Sequence, residues 1–165
     1  MGAVEDWQNS YHGRLRSAMA DATLMFVGAR GVIRNLKGEF LLIQRSDNGL
    51  WAFPAGGMEI GESLADCAIR ETFEETGLKA GKATLFAFLT APRYTFTNMF
   101  GDTYQHLSGS YLLEEITGDL NPDPEEVRDI GWFTLDTMPD GTSLVVGWTL
   151  GHLAEFEETG KLFLD

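Results

Sequence analysis

The sequence predicts an α/β domain in which a mixed β-sheet is covered by helices. Three observations carry that reading: apolar strand-like runs before residue 55, a capped helical segment over residues 63–77, and a second series of strand-like runs closed by another helical pattern. The segment "WQNSYHGRLRSAMAD", residues 7–21, predicts a short N-terminal helix with Tyr11, Leu15 and Met19 on one face. "TLMFVGARGVIR", the turn "NLKG" and "EFLLIQRS" together predict a β-hairpin. Asp47, Asn48 and Gly49 make a further turn before "LWAFP". Ser63 opens a helix with Asp66 as its capping-box partner, and Gly77 closes it. "ATLFAFLTA", "RYTFTN", "TYQHLSGSYLLEE" and "DIGWFTL" read as strands. "LVVGWTLGHLAEFEE", with Trp148, Leu153 and Phe156 near helical spacing, reads as a closing helix. No repeat or linker interrupts the chain, so one domain over residues 1–165 is expected, with residues 1–20 as a helical extension.

Composition restricts the function classes. With 25 acidic against 12 basic residues the formal charge is −13, a surface that repels nucleic-acid backbones and anionic lipid. A small anionic substrate is compatible with such a surface if a metal ion accompanies it. Cys67 is the single cysteine, which excludes an internal disulfide and a cysteine-built zinc site and fits a reducing compartment. The opening "MGAVEDWQNS" lacks a basic and apolar leader pattern, and no apolar run is long enough to span a bilayer, so a cytoplasmic location is expected.

The stretch "GGMEIGES", Gly56 to Ser63, has the glycine spacing of a phosphate-binding loop but places Glu62 where that loop needs a lysine. A carboxylate there repels phosphate unless a cation comes separately. The helix that follows contains "RETFEETG", where Glu71, Glu74 and Glu75 stand at i, i+3 and i+4 and therefore share one stripe. Arg70 offsets only part of their mutual repulsion. Oxygen donors without sulfur or a dedicated histidine suit a hard divalent cation, magnesium or manganese. A merely solvated acidic face would not need Gly56, Glu62, Arg70 and Gly77 at these spacings.

Residues 56–78 resemble the Nudix box, G-x5-E-x7-R-E-U-x-E-E-x-G-U with U aliphatic: Gly56, Glu62, Arg70, Glu71, Glu74, Glu75, Gly77 and Leu78 fall on its defining positions. Thr72 at the first U position is the one departure. Its size suits a core slot, with the hydroxyl expected to bond back to the helix. The resemblance implies an α/β/α sandwich that cleaves the pyrophosphate of a nucleoside diphosphate linked to another group, using water and Mg²⁺ or Mn²⁺. It implies Glu71 and Glu75 as principal metal ligands, Glu74 and the backbone carbonyl of Ala55 as further ones, and Glu62 behind them or beside a second metal. Arg70 is expected to orient Glu71 by a charge-assisted hydrogen bond.

For the general base the resemblance offers Glu71, or a glutamate outside the box, for which Glu125 and Glu126 in "DPEEV" are the candidates. Arg45 at a strand end is a candidate for phosphate. His12, His106 and His152 read as structural, and Trp51 as core. In "LTAPRYTF" the proline is similar to the ADP-ribose branch of the family, and Tyr94, taken as substrate-binding, to the dinucleoside polyphosphate branch. The expected substrate is an NTP, dNTP or related nucleoside polyphosphate, with ADP-ribose or a nucleotide sugar second and a non-catalytic nucleotide sensor as the rival class. The expected partner is a small nucleotide, with no nucleic acid and no membrane; a homodimer stays open.

Overall fold

The computed structural model describes residues 8–19, 22–98 and 100–165. In chain order it runs α1 (Tyr11–Ala18), β1 (Leu24–Ile33), β2 (Phe40–Arg45), β3 (Trp51–Ala52), β4 (Ala55–Gly57), α2 (Leu64–Thr76) and β5 (Lys82–Leu89). There follow β6 (Thr95–Thr97), β7 (Thr103–Glu114), β8 (Val127–Phe133), α3 (Leu144–Thr159) and β9 (Phe163–Leu164). The larger sheet has the order β4-β1-β7-β5-β9, with β6 also paired to β7, and it is mixed: β1 runs parallel to β7 and β9 parallel to β5, while β4 is antiparallel to β1 and β5 antiparallel to β7. The smaller sheet has the order β3-β2-β8.

Two apolar clusters separate the layers. Ala29, Ile33, Leu41 and Leu113 face Cys67 and Ala68 of α2, whereas Val32, Leu42, Phe86 and Leu89 face Val146 and Leu153 of α3. The period-2 alternation of β1 and β2 therefore supplies both cores from the same strands. Phe86 and Ala87 point into one cluster although they are consecutive, because the register with β7 slips between Leu85 and Ala87.

Three expectations from the sequence are corrected. The predicted hairpin does not form: β1 gives its two edges to β4 and β7, β2 pairs with β3 and β8, and between β1 and β2 only the bridge Arg34–Phe40 remains. The "NLKG" turn is real, but it carries the chain from one sheet to the other; an apolar run does not name its neighbour. Tyr11 of α1 and Met19, which caps it, are exposed, and the buried face of the helix carries His12 and Gly13. The remainder of the predicted helix at Trp7, Ala20 and Asp21 lies outside the described residues. "RYTFTN" also begins with a 3-10 turn, Pro92–Tyr94, before β6.

Candidate active site

Helix α2 starts as its sequence predicts. Ser63 Oγ accepts the Asp66 N–H, Asp66 accepts from the Ser63 N–H, and Gly77 closes the helix at φ 80°. This fixes the rotation of the acidic stripe toward β4. Arg70 sits at its centre. Its Nε and Nη2 donate to the two oxygens of Glu62 at 3.0 and 2.7 Å, and Nη1 donates to Glu71 and to Glu74, each at 2.8 Å. Nη2 also reaches the Gly57 carbonyl at 2.9 Å, tying the helix to the glycine loop. Glu62 thus answers the question its position raises. Burial alone would raise its pKa, but Arg70 and the Glu59 N–H, 2.6 Å away, hold its carboxyl below the usual range.

Glu75 and Glu71 are the unusual acids. Glu75 is only 4% exposed; its Oε2 accepts the Ala55 N–H at 2.9 Å, and Arg45 Nη1 approaches Oε1 at 3.9 Å. Burial pushes Glu75 up to about 8, against the pull of Arg45, and the charges of Glu71 and Glu126 add to the rise. Burial likewise raises Glu71 to about 7, with Arg70 opposing and Glu74 and Glu126 reinforcing. The site is short of positive charge for its carboxylates. It fits a hard divalent cation by donor chemistry, although among the described residues no three Asp, Glu, His or Cys side chains are gathered closely enough to hold one. Glu71 and Glu74 are instead turned to Arg70.

The other sequence candidates divide. Arg45, fixed by two bonds to Asp47 at 3.0 and 2.9 Å, stands beside Glu75. The Glu126 carbonyl accepts from the Ser46 N–H, and the Glu126 charge acts on Glu71, Glu75 and Arg45, so this glutamate lies near the acids of α2. Glu125 is exposed, and its N–H donates to Asp123 Oδ1 in the turn before β8. Tyr94 is not brought to the carboxylates: it is 5% exposed in the α3-side core, edge-on to Trp148, with its hydroxyl 3.5 Å from Asp165. Thr72 fills its core slot, but the expected bond back to the helix is absent, and its buried Oγ1 has no partner. Thr76 makes that bond instead, to the Thr72 carbonyl at 2.5 Å, while the Thr72 hydroxyl faces Gly31 of β1.

A family model described as the NUDIX domain matches residues 25–145. The chain belongs to the Nudix family. It is 33% identical over 106 residues to the NAD-capped RNA hydrolase NudC of Chromobacterium violaceum, covering 62% of this chain but only 36% of that protein. Two solved structures share the fold. A MutT NUDIX hydrolase from Burkholderia pseudomallei superposes with TM-score 0.66 at 24% identity, over 80% of this chain and 99% of that one. A UDP-X diphosphatase gives 0.67 at 20%, over 93% and 73%.

Within this Nudix fold, sequence reading passes over two features near the site. Helix α1 braces the glycine loop: the Tyr11 N–H meets the Glu59 carboxylate at 3.2 Å, and buried His12 stacks on Phe26 and abuts Gly57. The second is Arg30, paired with Ala55 across β1 and β4. Its signal was available, since it is the only charged residue in the ten-residue β1.

Proposed function

We propose that this Nudix domain hydrolyses the pyrophosphate linkage of a free nucleoside polyphosphate, an NTP or dNTP, in the presence of Mg²⁺ or Mn²⁺. The observation that carries the reading is the pair formed by buried Glu75, held on the Ala55 N–H, and half-buried Glu71, seated against Gly56, both raised toward neutrality. Glu71, Glu74, Glu75 and the Ala55 carbonyl would hold the cation, once Glu71 and Glu74 turn from Arg70. When bound, the ion draws charge from the phosphate oxygens and makes water a better nucleophile.

The remaining work falls to the chain. Arg45, held by Asp47, offers its guanidinium to a phosphate oxygen. Glu126, at the rim of the same group of acids, is the base proposed to take the proton of the attacking water, with Glu71 as its alternative. Arg70 aims Glu71, and Glu62 keeps Arg70 in place.

A free nucleotide is favoured over a capped RNA because the charge of −13 opposes a polynucleotide backbone. Among the described residues no helix is long and apolar enough to cross a membrane, and the cytoplasm is the proposed compartment. The test is a hydrolysis screen with Mg²⁺ and Mn²⁺ over NTPs, dNTPs, ADP-ribose, nucleotide sugars and diadenosine polyphosphates. The expected result is metal-dependent turnover, fastest for a triphosphate. Absence of turnover across the panel would overturn the enzyme reading in favour of a sensor, and a preference for ADP-ribose or a nucleotide sugar would replace the substrate.

A further inference from the structure

On the α3 face of the larger sheet lies a cavity of about 120 Å³, well above the ~10–15 Å³ that a single water needs. Arg30, Tyr94, Phe96, His106, Ser108 and Trp148 line it. Its position relates it to the acidic site. Arg30 and Ala55 are opposed across an antiparallel pair, so their side chains share a face, and the strand carrying Ala55 is about 5 Å away at the sheet edge. Ala55 thus neighbours both places: its N–H meets Glu75, and its partner across the strands is Arg30.

The lining has an unusual charge balance. Arg30 is bonded to hydroxyls alone, Thr149 Oγ1 at 3.0 Å and Ser108 Oγ at 3.5 Å, and among the described residues no carboxylate pairs with it. Burial lowers its pKa to about 10, the sign of a guanidinium lacking an anionic partner. A guanidinium carries five N–H donors, so most remain for a ligand. Around it the walls are rings: Tyr94 edge-on to Trp148 at 6.1 Å, and Phe96 edge-on to His106 at 5.5 Å. Burial and the nearby Arg30 push His106 down to about 4, so at neutral pH its ring presents one donor and one acceptor without charge.

Those walls discriminate between ligand chemistries. A phosphate would be stripped of water against Leu89, Val145 and the rings with a single cation to receive it, whereas a flat aromatic heterocycle stacks on such walls and leaves only its edge polar. The planar fork of arginine matches two adjacent acceptors, the carbonyl oxygen and N7 of a 6-oxopurine; a 6-aminopurine puts a donor against it, and pyrimidines lack the adjacent pair. We propose that this cavity receives the base of the nucleotide and that Arg30 makes it prefer a 6-oxopurine over a 6-aminopurine. This rests on the nucleotide reading above and adds its base preference.

The test uses IMP and AMP, which differ at the purine 6-position and carry no pyrophosphate to be cleaved, titrated calorimetrically into the full chain with Mg²⁺ present. One bidentate contact predicts that wild type binds IMP about 5- to 150-fold more tightly than AMP. In Arg30→Met the ratio should fall to within about threefold, and Arg30→Lys, which keeps the charge and loses the fork, should lie between. If Arg30→Met does not fold, Arg30→Lys alone still decides, because an undiminished ratio in it contradicts the fork. Equal binding of the two nucleotides by wild type, a preference for AMP, or no binding of either overturns the proposal. Failure of the hydrolase reading is separate: it shows as absent turnover in the metal screen while the IMP preference stands.

Discussion

The carboxyl of Glu71 rests directly on Gly56, so that a Cβ built on this glycine would lie 2.1 Å from it. The glycine of the box is therefore a packing requirement: the helix can bring Glu71 against β4 only where the strand has no side chain. Gly28, opposite Gly57 in β1, is different, because a Cβ there would meet the backbone oxygen of Gly56 at 2.3 Å. A glutamate carboxyl can swing away, but a strand carbonyl cannot. Gly56→Ala is expected to lower stability by under about 1 kcal/mol while reducing turnover at least tenfold, and Gly28→Ala to destabilise by about 1–3 kcal/mol. Urea unfolding of both variants, set beside their rates, checks the contrast; equal stability losses would remove it.

The raised carboxyls predict a pH dependence of stability that metal changes. Glu71, at about 7, and Glu75, at about 8, hold protons in the folded chain more tightly than in the unfolded one. Without metal their stabilisation is fully present below the unfolded pKa near 4.5 and is lost as pH rises through 7 and 8. His106, depressed to about 4, contributes in the other direction, but only as pH falls below 6.5. Between pH 6.5 and 9 the metal-free Tm should therefore fall. Excess Mg²⁺ should flatten or reverse that slope, since a cation competes with the protons. Glu75→Gln should flatten the metal-free slope and, like Glu71→Gln, lose at least about a hundredfold in turnover at limiting Mg²⁺. A metal-free Tm rising across this range would contradict the assignment.

How far the sequence discloses this site depends on what each feature rests upon. The capping box, Gly77 and the i, i+3, i+4 spacing are local, so Ser63, Asp66, Arg70 and the three glutamates stand where periodicity places them. The unequal environments of those glutamates are not local. Glu74 is exposed and Glu75 buried because Ala55, Arg45 and Glu126 come from three other segments, which strand pairing alone assembles. The same limit explains the missed hairpin, since β1 and β2 carry similar apolar runs and nothing in either names β7 or β8 as the neighbour. Tyr94 was legible as a ring near a strand end, but whether it faces the acids or α3 depends on the 3-10 turn after Ala91.

Thr72 offers a test of the one departure from the box. Its hydroxyl is buried without a partner, and the slot it fills accepts an aliphatic residue. Replacing a threonine by valine removes the unsatisfied group at nearly constant shape, so Thr72→Val is expected to stabilise the fold by about 1 kcal/mol. Turnover should be unchanged, because Thr72 faces Gly31 and not the acids. The measurement is the midpoint of urea unfolding at constant m-value; a destabilised variant would mean that the hydroxyl has a partner in solution.

Glu62→Lys restores the lysine that a phosphate-binding loop would carry, and the geometry predicts what that lysine does. In the wild type both Glu62 oxygens accept from Arg70, and Oε1 also takes the Glu59 N–H. The lysine would set a second cation against Arg70 and leave the Glu59 N–H without its acceptor. Both groups are part-exposed, so solvent screens the repulsion and the expected cost is about 1–3 kcal/mol. The larger effect concerns the acids: an ammonium beside Glu71 competes with the divalent ion, so turnover should fall and the Mg²⁺ concentration for half-maximal rate should rise. Nucleotide binding without metal should not tighten, because the carboxylates of Glu71, Glu74 and Glu75 still repel phosphate. Titrating a non-hydrolysable nucleotide into the variant decides the matter. Tighter binding by the metal-free variant than by the Mg²⁺-loaded wild type would show that the loop cradles phosphate directly and that Glu62 is not there to hold Arg70.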